Sequence, residues 1–430
     1  MSSAPRDRPG PNAPTVPPPW MGSLQDDTTV VLRHPKAIQH VLQDNHANYI
    51  KGVIYDDLRV LLGEGLLTSE GAEWLRQRRL VQPAFQTVAL ETYHPVMVDT
   101  IAAFLDRWKA RARPGAEVEV SREMARLTLR IVAKTLFAVD LGKWEDRIPD
   151  AISELFPSDP MSRGPLWGRV YRYVPLVGKI RARLALATFE RSVSWILANC
   201  SGSSPMSSLI KTSTEADDGG GGQRVRGEVA TLLIAGHETT ALALTWTLYL
   251  LCRHPEIEQK VHAEIAEVLG DRPPTPSDMP RLQYTGMVIE ETLRLYPPIG
   301  AFGRQAVGDD AIAAYPIPAQ TKVRIKPLET HRHPEFWPEP ERFDPERFAT
   351  AQARSRPRCA YIPFGAGPRA CIAASFAMME MKLVLAMMLR SARFTLAPGR
   401  RVALTNRVTL RPRYGLWLIP EFSRPGMAAP

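Results

Sequence analysis

A cysteine at the end of a glycine-rich segment near the C-terminus could act as a thiolate. Residues 364–371 have the sequence FGAGPRAC, and an apolar helical pattern begins directly after them. Unpaired backbone N–H groups and the dipole at a helix start both favour negative charge, so they lower the pKa of a thiol placed there. Gly365 and Gly367 allow the backbone to fold closely around Cys371, and Arg369 offers a cation. A lone cysteine is more often a small buried hydrophobic residue, so the segment alone leaves a structural cysteine open.

An acid and an alcohol stand side by side within a long apolar stretch. Residues 235–240 have the sequence AGHETT. Buried polar groups need hydrogen-bond partners, and a threonine can find one by bonding back to the preceding helical turn. The chemical alternative is proton delivery, in which Gly236 permits a local opening of the helix, Glu238 relays protons and Thr239 holds a water molecule. His237 receives no role in either interpretation.

Two further pairs of residues have helical spacing. Glu291 and Arg294 are three residues apart and share one helix face, where such a pair is usually a solvated salt bridge. Trp74 and Arg78 are four residues apart, a pattern too common to indicate a site by itself. Neither pair predicts a function alone, so the information lies in their order along the chain.

The order and spacing of these segments resemble those of the cytochrome P450 superfamily. The cysteine loop matches F-x-x-G-x-R-x-C-x-G, except that Ala373 replaces the last glycine, and residues 235–239 match A/G-G-x-D/E-T. The E-x-x-R motif occurs at 291–294. The P-E-R-F segment that accompanies it in the family is the second of two copies, at 345–348. The resemblance covers residues 25–420, and the chain is identified as a member of this superfamily.

The resemblance implies an enzyme with haem b as its cofactor and O2 as its co-substrate, and with Cys371 as the ligand of the iron. The catalytic residues would be Glu238 and Thr239, which supply protons. The residues around the cofactor would be Trp74, Arg78, Arg304, Phe364, Gly365, Arg369 and Cys371, with the arginines on the haem propionates. A structural network behind the ligand loop would be formed by Glu291, Arg294 and Arg347. The substrate pocket would include Leu233, Ala235, Gly236, Ile299, Ala301, Phe302 and Val408.

The patterns between these segments predict a mainly α fold with a minor β portion, which the resemblance specifies as the triangular, helix-rich cytochrome P450 fold. The strand-like pieces are few and do not alternate with helices as in a Rossmann fold. Helices are expected at 73–80, over much of 96–139, and at 181–199, 227–253, 285–296 and 373–389; strands are expected at 28–32, 322–326, 402–404 and 415–419. Residues 1–22 are expected to form a flexible Pro-rich arm, and residues 23–430 a single haem domain. The glycines at 219–222 are expected in a loop.

Composition excludes several classes of protein. With 44% hydrophobic and 23% charged residues, the chain is neither disordered nor fibrous. Its four cysteines include no C-x-x-C pair, so they provide neither a disulfide scaffold nor a zinc ribbon. The N-terminal residues contain no apolar stretch typical of a signal peptide or a membrane anchor. A cytoplasmic monomer without a membrane span is therefore expected.

The net charge of +9 raises nucleic acid, an anionic membrane or an acidic protein as partners. No nucleic-acid recognition motif accompanies the charge. Residues 354–371 contain four arginines and no acidic residue, and Arg76 and Arg79 add two more cations. The resemblance places both segments where redox partners dock, so an acidic ferredoxin or flavodoxin with its NAD(P)H reductase is expected, with Arg76 and Arg356 among its contacts.

The expected reaction is hydroxylation or epoxidation of a hydrophobic small molecule of terpenoid, fatty-acid, steroid or polyketide type. The electrons would come from a separate protein. The alternatives are a peroxygenase driven by hydrogen peroxide, a haem-thiolate isomerase or dehydratase, and a non-catalytic haem-binding protein. The intact Glu238-Thr239 pair disfavours all of them, because proton delivery to O2 has no obvious use in those proteins.

Overall fold

The computed structural model describes residues 29–155, 175–200, 206, 221–406 and 408–422. The arm predicted at residues 1–22 lies outside them. The helices of this part of the chain are α1 (Pro35–Gln39), α2 (Asp56–Leu62), α3 (Gly71–Val81), α4 (Thr87–Arg111), α5 (Val120–Leu136), α6 (Trp144–Leu155), α7 (Pro175–Asn199), α8 (Gly221–Arg253), α9 (Pro255–Leu269), α10 (Gln283–Leu295), α11 (Pro327–Thr330), α12 (Thr350–Ser355) and α13 (Ala374–Ser391).

The strands are short and form four small sheets. They are β1 (Thr29–Leu32), β2 (Tyr49–Ile50), β3 (Val118–Glu119), β4 (Phe302–Ala306), β5 (Asp310–Ile312), β6 (Tyr315–Ile317), β7 (Lys322–Ile325), β8 (Ala392–Leu396), β9 (Leu404–Asn406), β10 (Leu410–Pro412) and β11 (Trp417–Phe422). The largest sheet has the order β1-β7-β4-β2, the second has the order β3-β11-β8, and β5-β6 and β9-β10 are hairpins. The β1-β7 pair is parallel, with Thr29 opposite Lys322. The predicted mainly α fold with a minor β portion is confirmed.

The element boundaries differ from the prediction mainly around glycine and in the long helical region. Helix α8 begins at Gly221 rather than at residue 227, so Gly221 and Gly222 are helical and not in the predicted loop. A glycine costs a helix only about 1 kcal/mol, which a helix of this length tolerates. The region 96–139 divides into α4 and α5, separated by the short strand β3. None of the described helices is both long and apolar enough to cross a membrane.

The backbone contacts group the described residues into two compact units. Unit 1 takes in residues 29–56, 301–341 and 355–371, and unit 2 takes in the other described residues. The single haem domain over 23–430 stays a prediction.

Unit 1 contains the cysteine loop and is built around the four-stranded sheet. Its core consists of buried aliphatic residues from β1, α1, β4 and β7, with Ile362 just before the loop. The core residues from these elements include Val30, Leu32, Ile38, Val323 and Ile325. Ala366 from the middle of the loop packs against the same cluster. The loop is thus attached to the sheet by apolar contacts at two points.

Unit 2 is organised around the 33-residue helix α8. Between Ala241 and Leu251 almost every side chain of this helix is buried, which is typical of a helix surrounded by others. The helix packs mainly against α5, and also against α7, α10 and α13. Trp246 on α8 stacks on Tyr296, with ring centroids 4.3 Å apart, and its indole N–H donates to the Leu410 carbonyl at 3.0 Å. These contacts fix the helix that carries Glu238 and Thr239.

Candidate functional site

The cysteine loop is a tight turn closed by its own backbone. The N–H of Cys371 donates to the Phe364 carbonyl at 2.8 Å, and the N–H of Gly365 donates to the Ile362 carbonyl at 3.0 Å. Gly365 and Gly367 have φ values of +71° and +70°, in the left-handed region that favours glycine. Cys371 is exposed at the end of this turn, whereas Cys359 of the same unit is buried. The loop therefore presents one accessible thiol on a rigid backbone.

Two contacts fix the loop within unit 1. The N–H of Ile362 donates to Nε2 of His331, which is completely buried, at 2.8 Å. A Cβ atom on Gly367 would lie 1.8 Å from the Leu42 carbonyl oxygen, so only glycine allows the loop to approach the segment after α1 this closely. His331 has no defined role in the sequence analysis, and in the structure it anchors the backbone two residues before the loop.

The other predicted cofactor residues of unit 1 lie on β4 and in the loop. Arg304 on β4 is buried, donates to the Gly303 carbonyl at 2.8 Å, and lies over the ring of Phe302 at 5.4 Å. Arg369 lies in the turn before Cys371 and is half-buried. Ala301 and Phe302, predicted in the substrate pocket, are half-buried where β4 begins. A ligand could therefore contact only a small part of the Arg304 side chain and a larger part of the Arg369 side chain.

The middle of α8 presents a short accessible face in unit 2. Ala235 is exposed, and Gly236 and Thr239 are half-buried, whereas Leu233 and His237 are buried. The Oγ1 of Thr239 donates to the Ala235 carbonyl at 2.8 Å, the back-bonding to the preceding turn that the sequence left open. This accessible face interrupts the buried middle of the helix, and it coincides with the AGHETT sequence. Leu233, predicted to line the substrate pocket, is completely buried on the same helix.

His237 is a core residue of the same helix. Its Nδ1 is hydrogen-bonded to the Leu233 carbonyl, and its own carbonyl accepts from Thr128 Oγ1 on α5 at 2.9 Å. Burial lowers the pKa of His237, so the ring is neutral near pH 7. Gly236 is part of the same contact, because a Cβ there would lie 3.0 Å from Val132 on α5. His237 thus joins α8 to α5.

Glu238 has partners that the sequence analysis missed. Its Oε1 accepts from Thr409 Oγ1 at 2.7 Å and from Arg411 Nε at 3.0 Å, and Arg411 Nη2 also donates to it. Arg411 Nε also donates to Thr409 Oγ1 at 2.8 Å. Thr409 directly precedes β10 and Arg411 lies within it, and two residues apart in extended backbone have their side chains on one face. That alternation was visible in the sequence, but nothing in it pointed to α8.

The structure brings together the three residues of the predicted structural network. Arg294 donates from Nε to Glu291 Oε2 at 2.6 Å and from Nη2 to Glu291 Oε1 at 2.8 Å, and both side chains are completely buried. Arg347 Nε lies 3.6 Å from Glu291 Oε1. The N–H of Asp344 donates to Glu291 Oε1 at 2.9 Å, and Arg294 Nη2 donates to the Arg342 carbonyl at 3.0 Å. A bidentate pair tied to two backbone groups is a structural crosslink between α10 and residues 342–344.

The remaining predicted residues of unit 2 are more accessible. Trp74 and Arg78 are half-buried neighbours on α3, with the guanidinium 5.8 Å from the ring centroid. Ile299 is half-buried after α10. Val408, 42% exposed, lies between β9 and β10 and directly precedes Thr409. The hairpin that holds Glu238 therefore also carries one of the predicted pocket residues.

Two arginines expected to contact a redox partner already have partners within the chain. Arg76 forms a bidentate pair with Glu73, at 2.7 and 3.0 Å. Arg356 is half-buried, and its guanidinium lies 4.2 Å from the ring centroid of Trp337. Arg79, Arg354 and Arg358 are exposed and are the better probes of docking.

Comparison with known proteins shows which family the chain resembles. The family model described as "Cytochrome P450" matches residues 15–417. The chain is 36% identical over 406 residues to "Putative cytochrome P450 132" of Mycobacterium tuberculosis, covering 91% of this chain and 87% of that protein. It is 35% identical to "Cyclooctat-9-en-7-ol 5-monooxygenase" of Streptomyces melanosporofaciens, covering 85% and 80%. It is 33% identical to "Pentalenene oxygenase" of Streptomyces avermitilis, covering 87% and 84%.

A solved structure has the same fold. The haem domain of cytochrome P450DA, determined by crystallography, superimposes with a TM-score of 0.80 at 26% identity. The match covers 95% of this chain and 91% of that domain.

Proposed function

The chain belongs to the cytochrome P450 family, and we propose that it hydroxylates or epoxidises a terpenoid hydrocarbon skeleton with electrons from a separate acidic protein. It is an oxidoreductase of the monooxygenase type, with haem b as its cofactor and O2 as its co-substrate. In hydroxylation, one substrate C–H bond, O2, two electrons and two protons are converted to one C–OH bond and one water molecule. Epoxidation adds the same oxygen atom across a C=C bond.

The residues present fit a haem with a thiolate ligand. Cys371 is the exposed thiol at the end of a loop whose tight backbone depends on the left-handed Gly365 and Gly367. A thiolate ligand pushes electron density to the iron and favours O–O cleavage, which is the chemistry that the cofactor supplies when bound. Arg304, Arg369, Trp74 and Arg78 are the donors we assign to the propionates, since arginine binds carboxylates bidentately. Phe364 and Gly365 form the backbone that positions the thiol.

Glu238 and Thr239 are the residues we assign to proton delivery. Thr239 lies on the accessible face of α8. Its hydroxyl donates to the Ala235 carbonyl and can instead donate to a water molecule. Glu238 is the acid next to Thr239 in the chain, and it is buried, with 8% of its surface exposed. Proton transfer by a positioned side chain typically contributes a factor of about 10²–10⁴. The structural network of Glu291, Arg294 and Arg347 takes no part in the chemistry.

The substrate class is carried by one observation: two of the relatives have names that specify terpenoid substrates. The accessible residues that we assign to the pocket fit such a substrate, because they are small or apolar: Ala235, Gly236, Ile299, Ala301, Phe302 and Val408. Apolar residues with few polar groups bind hydrocarbon skeletons through the hydrophobic effect. Fatty acids, steroids and polyketides remain as comparison substrates.

The proposed electron donor is a ferredoxin or flavodoxin with an NAD(P)H reductase. The support is the charge, since the chain carries a net +9. Arg79, Arg354 and Arg358 are exposed, and the segments that contain them have more basic than acidic residues. Opposite charge on a partner accelerates association and makes it sensitive to salt.

A substrate-binding screen tests this function. Terpene hydrocarbons and monohydroxylated terpenoids are titrated into the haem-loaded protein, with fatty acids and steroids as comparison classes, and the low-spin to high-spin Soret shift is recorded. A terpenoid that shifts the spectrum is then turned over with NADPH, a ferredoxin and its reductase, and the product is identified by mass spectrometry. Spin shifts confined to fatty acids or steroids would overturn the substrate class. Turnover with hydrogen peroxide but not with the donor proteins would favour a peroxygenase.

A further inference from the structure

The carboxylate of Glu238 is held from outside its own helix by Thr409 and Arg411, at the start of β10. Thr409 Oγ1 and both Arg411 Nε and Nη2 donate to the same oxygen, Oε1. Arg411 Nε also donates to Thr409 Oγ1 at 2.8 Å, so the three side chains form one closed network. Three donors fill the capacity of one carboxylate oxygen. Oε1 therefore cannot also carry a proton while this network is intact.

The network is well shielded from solvent. The side chains of Glu238 and Arg411 are 10% and 17% exposed, and Thr409 is buried. A charge-assisted, partly desolvated pair of this kind is stronger than an exposed salt bridge, and loss of one partner leaves the other charge poorly solvated. The nearest ionisable neighbour on the helix, His237, is neutral. Arg411 is thus the cation that the structure assigns to this acid.

We propose that Arg411, with Thr409, is the positioning residue of the proton relay: it holds Glu238 as a carboxylate in one orientation, and the β9-β10 hairpin thereby controls how well electrons are used for product. This inference rests on the proposed function of Glu238. With Oε1 occupied, Oε2 takes a proton from solvent and passes it to the water held by Thr239, and the carboxylate is regenerated. The pairing of Arg411 with Thr405 across the hairpin fixes the strand that carries it.

The proposal makes the C-terminal hairpin part of the catalytic apparatus, although it contributes no group that touches the reacting atoms. Val408, an exposed apolar residue of the hairpin, immediately precedes Thr409.

The test compares Arg411→Met, Arg411→Lys and Thr409→Val with the parent protein, all loaded with haem. The control is Arg401→Met, which removes the same charge from an exposed arginine just before the hairpin. We expect Arg411→Met to lower the product formed per NADPH about tenfold and to raise peroxide release. That is less than the factor of ~10²–10⁴ that positioned proton transfer contributes as a whole. Arg411→Lys should recover part of the coupling because it keeps the charge, and Arg401→Met should leave coupling unchanged.

Two readouts separate a positioning role from damage to the fold. The carbon monoxide difference spectrum and the substrate-induced spin shift should be the same in all variants, because Cys371 and the pocket are untouched. Infrared spectra should show a protonated carboxyl band in Arg411→Met that is absent from Arg411→Met/Glu238→Gln, since a buried carboxylate without its cation takes up a proton. This band does not depend on turnover.

The outcomes are distinguishable. If the parent protein does not turn over with any donor, the proposed function fails, and the infrared band still reports on the Arg411–Glu238 pair. If the parent protein turns over and Arg411→Met keeps the parent's coupling and shows no carboxyl band, the role of Arg411 is overturned. If the spectra of Arg411→Met change together with its coupling, Arg411 is structural and the proposal is likewise overturned.

Discussion

Gly367 and Leu42 touch through their backbones, and the contact leaves no room for a side chain. A Cβ atom on Gly367 would lie 1.8 Å from the Leu42 carbonyl oxygen, and 2.8 Å from its carbon. Gly365, two residues earlier in the same loop, has nearly the same φ but would place its Cβ no closer than 3.9 Å to another atom. The two glycines thus separate the effect of backbone conformation from that of close contact.

Gly367→Ala should prevent the cysteine loop from closing, whereas Gly365→Ala should be tolerated. In Gly365→Ala we expect only the cost of a left-handed alanine, about 1 kcal/mol. In Gly367→Ala the backbone contact with Leu42 must open as well. Two quantities are measured on the purified protein. One is its haem content, and the other is the Soret band of its reduced carbon monoxide complex, which shows whether a thiolate binds the iron. Equal haem incorporation in the two variants would contradict the contact.

Glu291→Gln should destabilise the protein far more than Glu73→Gln, although both acids pair with an arginine three residues later. The Glu291–Arg294 pair is completely buried, so removal of one partner leaves an uncompensated charge at a cost of about 3–5 kcal/mol. The Glu73–Arg76 pair is one-third or more exposed, and exposed pairs contribute about 0–1 kcal/mol. Urea denaturation followed by circular dichroism measures both. Similar losses would mean that the buried pair is no stronger than the exposed one.

The raised pKa of Glu228 predicts a specific dependence of stability on pH. Its carboxylate on α8 is buried and accepts the Leu66 N–H at 2.9 Å, and burial raises the pKa of Glu228 to about 7. Because the folded pKa lies above the ordinary value of 4.5, the proton-linked contribution to stability is complete below pH 4.5. It is lost as the pH rises through 7. A shift of this size corresponds to about 3 kcal/mol.

Glu228→Gln isolates that contribution, because glutamine does not titrate. The difference in unfolding free energy between the parent protein and the variant should fall by about 3 kcal/mol between pH 4.5 and pH 8. Urea titrations at pH intervals across this range provide the measurement. Parallel pH profiles for the two proteins would show that Glu228 does not have the raised pKa.

Thr239→Ala should uncouple the enzyme, whereas Thr240→Ala should not. Both threonines bond back to the preceding turn, Thr239 to Ala235 and Thr240 to Gly236, but only Thr239 lies on the accessible face of α8. We expect about a tenfold lower ratio of product to peroxide in Thr239→Ala, within the range of proton-transfer effects. Product and hydrogen peroxide are quantified per NADPH consumed. If Thr240→Ala uncouples to the same degree, helix distortion rather than the hydroxyl of Thr239 is the cause.

Charge reversal at exposed arginines should slow reduction by the electron donor. Arg79→Glu and Arg358→Glu are expected to lower the reduction rate and to weaken its dependence on salt, because steering by opposite charge is screened by ions. Arg191→Glu on α7 changes the charge equally at another exposed position and is the control. Stopped-flow reduction at several salt concentrations tests this. A rate in the parent protein that is independent of salt would argue against an acidic partner.

The sequence was informative where chemistry and local pattern coincide. The cysteine loop, the AGHETT segment and the Glu291–Arg294 pair are local in the chain, and their residues come together because they share a turn or a helix face. The helices were predicted because burial imposes a period of 3.6 residues on them. Partners distant in the chain were not predictable in this way. The Arg411–Glu238 pair, the His331–Ile362 hydrogen bond and the Gly367–Leu42 contact depend on tertiary packing that no local pattern encodes.

The parallel pairing of Thr29 with Lys322 has a consequence for how the protein is made. During synthesis the strand β1, whose residues are all buried in the finished protein, emerges from the ribosome long before β7 exists to cover its edge. At about 5–20 residues per second, that interval lasts about 15–60 s. The loop that carries Cys371 emerges later still. The nascent chain therefore needs protection of an apolar strand for most of its translation, and the cofactor can be captured only when synthesis is nearly finished.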